Sequence, residues 1–259
     1  MTTMMTTGIE STAAFLGDYG AVMLGCGATC IRIEKNIGRM ASAYGMEADI
    51  ELLPSHVEVA LRDGDGHKVS ATGKTRRGGI DFGLNTRLSR LSWSVADDGL
   101  SPAEARQRFD AIVAAKSAGS ARVLLLASAA NMAFCRLFGG DAVAMAVVFC
   151  ATLLGYRVKQ LLLGAERDVR LAFLAAAFVS ASASAACEIF CLGDTPGVAL
   201  GTSVLYLIPG VPYINAASDM IYRHYLCALS RLTDAVVLTA CLTAGLCAGM
   251  FLLDLDWQI

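Results

Sequence analysis

Apolar and polar positions follow two different patterns before residue 119. In residues 9–45 apolar side chains recur every three and four positions, which predicts one long helix. After Gly45 the pattern changes to short alternating runs, such as "HVEVALRD" and "HKVSATG", which predict strands. Between these two runs, "DGDG" at 63–66 has the composition of a tight hairpin turn. We therefore expect a helix followed by an antiparallel hairpin.

Two more helices are predicted in the same part of the chain. One lies near 81–97, and the other begins at Ser101-Pro102, where Glu104 is placed to complete a capping box. Since these elements are too charged to lie within a bilayer, residues 1–118 are predicted to form a small α+β cytoplasmic domain.

From residue 119 onwards the apolar positions join into five long segments. Each approaches the roughly 20 residues that span a hydrocarbon core. They fall at about 121–138, 141–159, 170–191, 196–214 and 233–254. Small residues such as Ser180 and Gly201 let helices pack closely in lipid. The expected fold is an α-helical membrane protein, in which the α+β domain precedes a five-helix transmembrane bundle in residues 119–259.

Composition supports a membrane location and narrows the choice of partners. Of the 259 residues, 55% are hydrophobic and 17% are charged, against roughly 25% charged residues in soluble domains. The net charge is -2 and no basic stripe with interleaved aromatic residues occurs, so no nucleic-acid partner is expected. The first residues lack the basic and apolar parts of a signal peptide, so the first membrane segment is expected to direct insertion into the inner membrane.

Basic residues predict the orientation of the spans. Arg and Lys cluster before the first span, between the second and third, and before the fifth, whereas the alternate connections hold few. Because positively charged loops stay on the cytoplasmic side, we expect the N-terminus inside and the C-terminus outside.

No catalytic or metal-binding pattern is evident in the sequence. "GKT" at 73–75 lacks the preceding glycine of a phosphate loop, and "GCG" at 25–27 lacks the rest of a dinucleotide fingerprint. Most of the nine cysteines fall in apolar segments without CxxC or Cys/His spacing, where a thiol behaves as a small hydrophobe. The three histidines show no ligand or triad spacing. We expect no enzyme activity, no cofactor and no metal.

The stretch "YLIPGVPYINAASDM" breaks the fourth apolar segment. Pro209 cannot donate a hydrogen bond to the Leu205 carbonyl, and Pro212 cannot donate to Ile208. In hydrocarbon each orphaned carbonyl costs several kcal/mol, so it must face protein, water or a ligand. We predict that a helix restarts after Pro212 and directs free N–H groups at a carboxylate, as the broken helices of transporters do.

Polar residues follow the break. Gly210 lets another group approach the backbone, while Asn215 and Asp219 supply donors and acceptors in the first turns of the new helix. The predicted substrate-binding residues are therefore Pro209, Gly210, Pro212, Asn215 and Asp219. The plainer alternative is a Pro-terminated helix near the cytoplasmic interface, with Asn215 as a cap, and the pattern favours neither.

Three further polar residues lie in apolar segments. Asn131 needs a hydrogen-bond partner or a polar cavity; the pattern favours a contact that holds helices together, with substrate binding as the alternative. Glu188 and Asp234 are candidates for ion or proton coupling. Their plainer roles are contact with the membrane interface for Glu188, and a helix cap or an ion pair with Arg231 or Arg223 for Asp234.

Three stretches together resemble the threonine/serine exporter family. "GATCIRIEKNIGRMASAYG" is similar to its opening helix signature, with the motif positions at Gly27, Ala28, Thr29, Arg32 and Glu34. "TRRGGIDFGLNTRLSRLSWSVADDGLSPAEARQRFDAI" resembles its basic strand and following helices. "LIPGVPYINAASDMIYRHYLCALSRLTDA" resembles its Pro-Gly-x-Pro stretch. The match runs from about residue 10 to the end, and Ala28 or Cys30 stands where the family often has an acidic residue.

The resemblance implies a secondary-active exporter of L-threonine and L-serine, while split relatives are associated with dicarboxylates such as succinate. Fused members continue into a second membrane half that this chain lacks, so the resemblance implies the larger subunit of a two-component transporter. A second small membrane subunit of opposite orientation would complete an inverted repeat. Assembly as a homo-oligomer is left open.

Two other classes of function compete with export. A non-transporting membrane protein would use the bundle to anchor a binding or regulatory domain, but an anchor has no need of a broken, polar span. A membrane-bound hydrolase would need a nucleophile and a base, and the sequence offers no such arrangement.

Overall fold

The computed structural model describes residues 2–75, 78–115, 119–190 and 193–253. Within them, ten α-helices and one three-stranded sheet form the fold, and a 3-10 turn, Leu205–Leu207, lies between α8 and α9. The helices are α1 (Thr2–Gly25), α2 (Cys30–Ala43), α3 (Phe82–Asp98), α4 (Pro102–Ala114), α5 (Ser120–Leu137), α6 (Ala142–Gly164), α7 (Val169–Ile189), α8 (Pro196–Thr202), α9 (Gly210–Ile221) and α10 (Tyr225–Leu252). The strands are β1 (Glu47–Leu53), β2 (His56–Arg62) and β3 (Lys68–Lys74).

The single helix predicted over residues 9–45 is wrong, because α1 and α2 are separate helices. Gly27 ends α1 with φ +89°, a conformation that favours glycine. The Gly27 N–H donates to the Leu24 carbonyl at 3.3 Å and the Ala28 N–H donates to the Met23 carbonyl at 3.0 Å. This is the Schellman arrangement. It ends the helix although the apolar periodicity resumes in α2.

The predicted hairpin turn is confirmed. Strands β2 and β3 pair antiparallel from Arg62–Lys68 outwards, and β1 pairs antiparallel with the other edge of β2, in the order β1-β2-β3. The side chains of β2 alternate, so that Val57, Val59 and Leu61 are fully buried in the core. That core also contains apolar residues of α1, α2, α3 and α4.

Two helix starts follow local rules. Asp81 caps α3 by accepting a hydrogen bond from the Leu84 N–H at 2.8 Å. The predicted capping box is confirmed at α4: the Ser101 hydroxyl accepts from the Glu104 N–H, and the Glu104 carboxylate accepts from the Ser101 N–H at 2.9 Å.

The chain divides into two compact units. The first comprises residues Met1–Ser117 and Val211–Leu232, and the second Ala118–Gly210 and Thr233–Ile259. Residues 211–232, assigned above to the membrane domain, thus group with the first unit. Cys227 illustrates this grouping, since it belongs to the sheet-containing core and its thiol donates to the Leu52 carbonyl at 3.4 Å.

The long apolar helices lie mostly in the second unit, although α9 and the first turns of α10 belong to the first. Among the described residues, α6, α7 and α10 are long and apolar enough to cross a membrane, and the interrupted α8–α9 pair would be a fourth span. Helix α5 does not meet the same test, so the predicted count of five spans stays a prediction. Close packing depends on glycine: a Cβ at Gly245 or Gly249 would press on the backbone of α7, whereas one at Gly201 would meet nothing described within 4 Å.

Candidate functional site

The backbone does break at the Pro-Gly-x-Pro stretch, but its hydrogen bonding differs from the prediction. Helix α9 begins at Gly210, so Pro212 lies in its first turn, where a missing N–H costs no helical hydrogen bond. The Leu205 carbonyl accepts from the Ile208 N–H at 3.1 Å, and the Ile208 carbonyl accepts from the Gly210 N–H at 2.8 Å. The two carbonyls predicted to be orphaned are therefore satisfied locally.

Space remains next to the glycine of the break. A Cβ placed on Gly210 would meet none of the described atoms within 4 Å, apart from its immediate neighbours. Pro209 is buried and Pro212 is half-buried. This geometry is compatible with the predicted approach of another group to the Gly210 backbone.

Asn215 and Asp219 lie one turn apart on α9 and both contact the α1–α2 junction. The Asn215 amide donates to the Gly27 carbonyl at 2.8 Å. One Asp219 carboxylate oxygen, Oδ1, accepts from the Cys30 N–H at 2.9 Å. Asn215 lies within α9 and is therefore not its cap. We name Asn215, Asp219 and Arg231, with the backbone of residues 27–30, the junction cluster.

Arg231 supplies the positive charge of the junction cluster. Its Nε lies 3.2 Å from the second carboxylate oxygen of Asp219, and its guanidinium also donates to the Ala28 carbonyl at 2.6 Å. The Asp219 side chain has no solvent exposure and that of Arg231 has 16%. Since the cap residue Thr29 makes no side-chain hydrogen bond to α2, the Asp219 carboxylate takes over the role of N-cap from a distant part of the chain.

Two neighbouring groups extend this arrangement. His224 Nε2 lies 3.4 Å from the Glu34 carboxylate, so a second contact joins the α9–α10 turn to α2. Beside the junction, burial is the first cause that raises the pKa of the Cys26 thiol, to about 11, and the charge of Asp81 adds to it. Together, the contacts of the junction cluster and the His224–Glu34 contact hold the α1–α2 turn and α2 against α9 and the turn that follows it.

Asn131 lies in a separate polar cluster inside the second unit. Its amide nitrogen, Nδ2, donates to the Thr152 hydroxyl at 2.7 Å and to the Thr202 carbonyl at 3.1 Å, and it lies 3.4 Å from the Ser203 carbonyl. Asn131 is 2% exposed and Thr152 is fully buried. We name these four residues the Asn131 cluster. It joins α5 to α6 and to the end of α8, which is the interhelical contact that the sequence favoured.

The orphaned carbonyls of the broken segment are thus those of Thr202 and Ser203, at the end of α8. A helix that stops leaves its last carbonyls without intrahelical partners. Further along the same segment, the Tyr206 hydroxyl lies 3.0 Å from the Ser180 hydroxyl, which donates to the Ala151 carbonyl at 3.1 Å. A second small set of polar contacts therefore joins α6, α7 and the 3-10 turn inside this unit.

The two acids considered for coupling lie elsewhere. Glu188 is half-buried in the last turn of α7, and Asp234 is exposed. Because α10 already begins at Tyr225, Asp234 does not cap that helix, and Arg231 pairs with Asp219 instead. Among the described residues, neither acid has an ion pair.

Sequence reasoning missed Arg231, Thr152 and the α1–α2 junction as parts of these clusters. The sequence predicted Arg231 only as a partner of Asp234 and as a charge in the loop before the fifth span. No local pattern links it to Asp219, twelve positions earlier. The Gly-Ala pair at 27–28 was the available signal, since a glycine inside a helical pattern can mark a C-cap.

Comparison with known proteins gives a consistent family. The profile described as "Putative threonine/serine exporter" matches residues 14–253. "Probable succinate transporter subunit YjjP" of Klebsiella aerogenes is 27% identical over 225 residues, 86% of this chain and 87% of the relative. The protein of the same name from Escherichia coli (strain K12) is 26% identical over 227 residues, 87% of this chain and 88% of the relative. No solved structure matches the chain significantly. With the profile covering nearly the whole sequence, the chain belongs to the threonine/serine exporter family.

Proposed function

We propose that this chain is the larger subunit of a two-component, secondary-active exporter of small carboxylate-bearing metabolites in the inner membrane. The main structural support for this proposal is the arrangement of the Asn131 cluster. In an otherwise apolar unit, an interrupted helix presents the Thr202 and Ser203 carbonyls to a buried amide. A helix bundle that only anchors another domain would gain nothing from this costly arrangement.

The identity of the exported solute is a separate question within this proposal. Two candidates have support from different comparisons. Both relatives bear the name "Probable succinate transporter subunit", which favours a dicarboxylate. The family description favours L-threonine and L-serine. All of these solutes carry a carboxylate, and we place succinate first because the named relatives match along most of their length.

We propose the following arrangement in the membrane. Helix α5 is the first of five spans and the α8–α9 pair is the fourth, with the N-terminus in the cytoplasm and the C-terminus outside. A second small membrane subunit completes the path, which agrees with the word "subunit" in the names of both relatives. Asn131, Pro209, Gly210 and Pro212 border the path.

Asn215 and Asp219 have a different proposed role in the same process. Their contacts hold the Gly27–Cys30 turn against α9 within the sheet-containing unit, and we propose that transport requires this arrangement. Loss of either side chain should then reduce flux even if it never touches the solute.

Efflux from proteoliposomes tests the proposal. Vesicles are loaded with radiolabelled succinate or L-threonine, and contain the chain alone, the chain with the proposed second small membrane subunit, or neither. We expect efflux of one solute only when both proteins are present. Full efflux with the chain alone would refute the two-subunit arrangement, and absence of efflux of both solutes from the complete pair would refute carboxylate export.

Variants locate the function in the structure. Asp219→Asn keeps an acceptor for the Cys30 N–H but removes the charge that faces Arg231, and we expect it to lower efflux several-fold. Glu47→Gln is the matched control, because Glu47 forms an exposed ion pair with Arg62. If Asp219→Asn and Glu47→Gln support equal efflux, the junction cluster has no role in transport.

A further inference from the structure

The hydrogen bonds of Asn131 are unevenly distributed. An amide nitrogen has two hydrogens, yet three oxygens lie within 3.4 Å of Asn131 Nδ2: the Thr152 hydroxyl and the carbonyls of Thr202 and Ser203. At the other end of the same side chain, Oδ1 is buried and has no hydrogen-bond partner among the described residues. Burial of an unpaired acceptor costs about 1–3 kcal/mol, so this arrangement suggests that another state of the site uses Oδ1.

We propose that the Asn131 cluster is a binding site for Na⁺. The ligands are the Thr152 hydroxyl oxygen, the Thr202 and Ser203 carbonyl oxygens, and Asn131 Oδ1 once the amide has turned to exchange its oxygen and nitrogen ends. In this conformation, the partly positive NH₂ group of Asn131 lies where the three oxygens converge. It occupies the position that Na⁺ would take in the bound state.

The chemistry of the ligands selects the type of cation. All four are uncharged hydroxyl, carbonyl or amide oxygens, which suit hard cations and not the thiophilic transition metals. Carbonyls released by an unwound helix are also the groups that coordinate Na⁺ in broken-helix transporters. The Thr202 and Ser203 carbonyls stand at such an interruption, between the end of α8 and the 3-10 turn.

The absence of a carboxylate from this ligand set has a consequence for transport. A cation held by neutral oxygens in an apolar unit keeps an uncompensated charge, which is costly at low dielectric. An anionic solute bound nearby would lower that cost, so Na⁺ and the solute should increase each other's affinity by the same factor. This coupling rests on the proposed export of carboxylates, whereas binding of Na⁺ itself does not.

Thermal stability of the purified protein with its companion subunit tests the site without relying on flux. Melting is followed in NaCl, KCl and choline chloride at equal ionic strength. A ligand that binds only the folded state raises the melting temperature, so we expect the wild type to melt at a higher temperature in NaCl than in the other two salts. Equal melting in all three salts would overturn the proposal while leaving export untouched.

Three variants assign the effect to the cluster. Thr152→Val removes one ligand with little change of shape, and should weaken Na⁺ binding at least about tenfold, equivalent to about 1.4 kcal/mol. Asn131→Asp adds the missing negative charge, and should enlarge the NaCl-specific shift beyond that of the wild type. Ser128→Ala is the matched control, since Ser128 is a buried hydroxyl on the same helix that bonds to the Leu124 carbonyl.

These results distinguish binding of Na⁺ at the Asn131 cluster from coupling of that binding to transport. An unchanged Na⁺ shift in Thr152→Val, or a loss of the shift in Ser128→Ala equal to that in Thr152→Val, would overturn the assignment to this cluster. If the shift depends on the cluster but succinate efflux by the complete pair is the same in NaCl and choline chloride, the Na⁺ site stands and its coupling to transport is refuted.

Discussion

Removal of the Asp219 carboxylate should destabilise the protein more than removal of a surface charge. The Asp219 side chain is fully buried and faces Arg231, which is 16% exposed, so Asp219→Ala leaves a guanidinium without its counter-charge and the Cys30 N–H without its acceptor. Breaking a buried ion pair on one side costs about 3–5 kcal/mol. Because 1 kcal/mol shifts the melting temperature of a chain of this size by roughly 2–4 °C, we expect a fall of about 6–20 °C.

Melting of the purified protein in detergent measures this effect, followed by the loss of the monodisperse peak in size-exclusion chromatography after heating. Glu47→Ala is the control, since the Glu47–Arg62 pair is highly exposed on both sides. Exposed pairs contribute about 0–1 kcal/mol, so this variant should melt close to the wild type.

A double-mutant cycle separates the ion pair from other effects of the substitution. Asp219→Asn alone leaves Arg231 without its counter-charge, and Arg231→Met alone leaves Asp219 buried and uncompensated, so each single variant should be strongly destabilising. Asp219→Asn combined with Arg231→Met removes both charges but keeps an acceptor for the Cys30 N–H, and should recover much of the loss. If the two single losses simply add, or if Asp219→Ala melts like the wild type, the ion pair does not stabilise the α1–α2 junction.

The remaining predictions concern packing and titration. Gly245→Ala should lower the melting temperature, because its Cβ would press on the backbone of α7, whereas Gly201→Ala should be tolerated; equal melting would contradict the packing described. With its pKa raised chiefly by burial to about 11 from an ordinary 9.0, Cys26 carries about a hundredfold less thiolate at neutral pH. Its maleimide labelling, measured by mass spectrometry, should therefore be far slower in the folded than in the denatured protein, and equal rates would refute this. The Ser101 hydroxyl is the first cause that lowers the pKa of Glu104 below its ordinary 4.5. A carboxyl group whose pKa is lower in the folded state stabilises the fold at pH values above its unfolded-state pKa, and this stabilisation is lost as the pH falls through the folded-state pKa. Because Ser101→Ala removes the hydroxyl, it should reduce the acid sensitivity of melting below about pH 4.5; an unchanged pH profile would contradict this.

The accuracy of the sequence predictions depended on the range of the interactions involved. The hairpin at "DGDG" and the capping box at Ser101 were predicted correctly because each is specified by residues within a few positions of one another. The helix over 9–45 was wrong because the Schellman end at Gly27 does not interrupt the apolar periodicity. The orphaned carbonyls were misplaced for a related reason: proline shows which N–H groups are missing, but the Ile208 and Gly210 N–H groups then donate to the Leu205 and Ile208 carbonyls instead.

The sequence by itself determined the apolar segments, the break at Pro209–Gly210 and the family, since composition, periodicity and proline chemistry act along the chain. Only the tertiary structure decided which polar groups meet. Asp219 lies 189 positions from Cys30 and Asn131 lies 71 from Thr202, and no local pattern specifies such pairs. They form because a buried charge or carbonyl must find a partner wherever packing brings one within reach, and that partner is set by the folding of the whole unit.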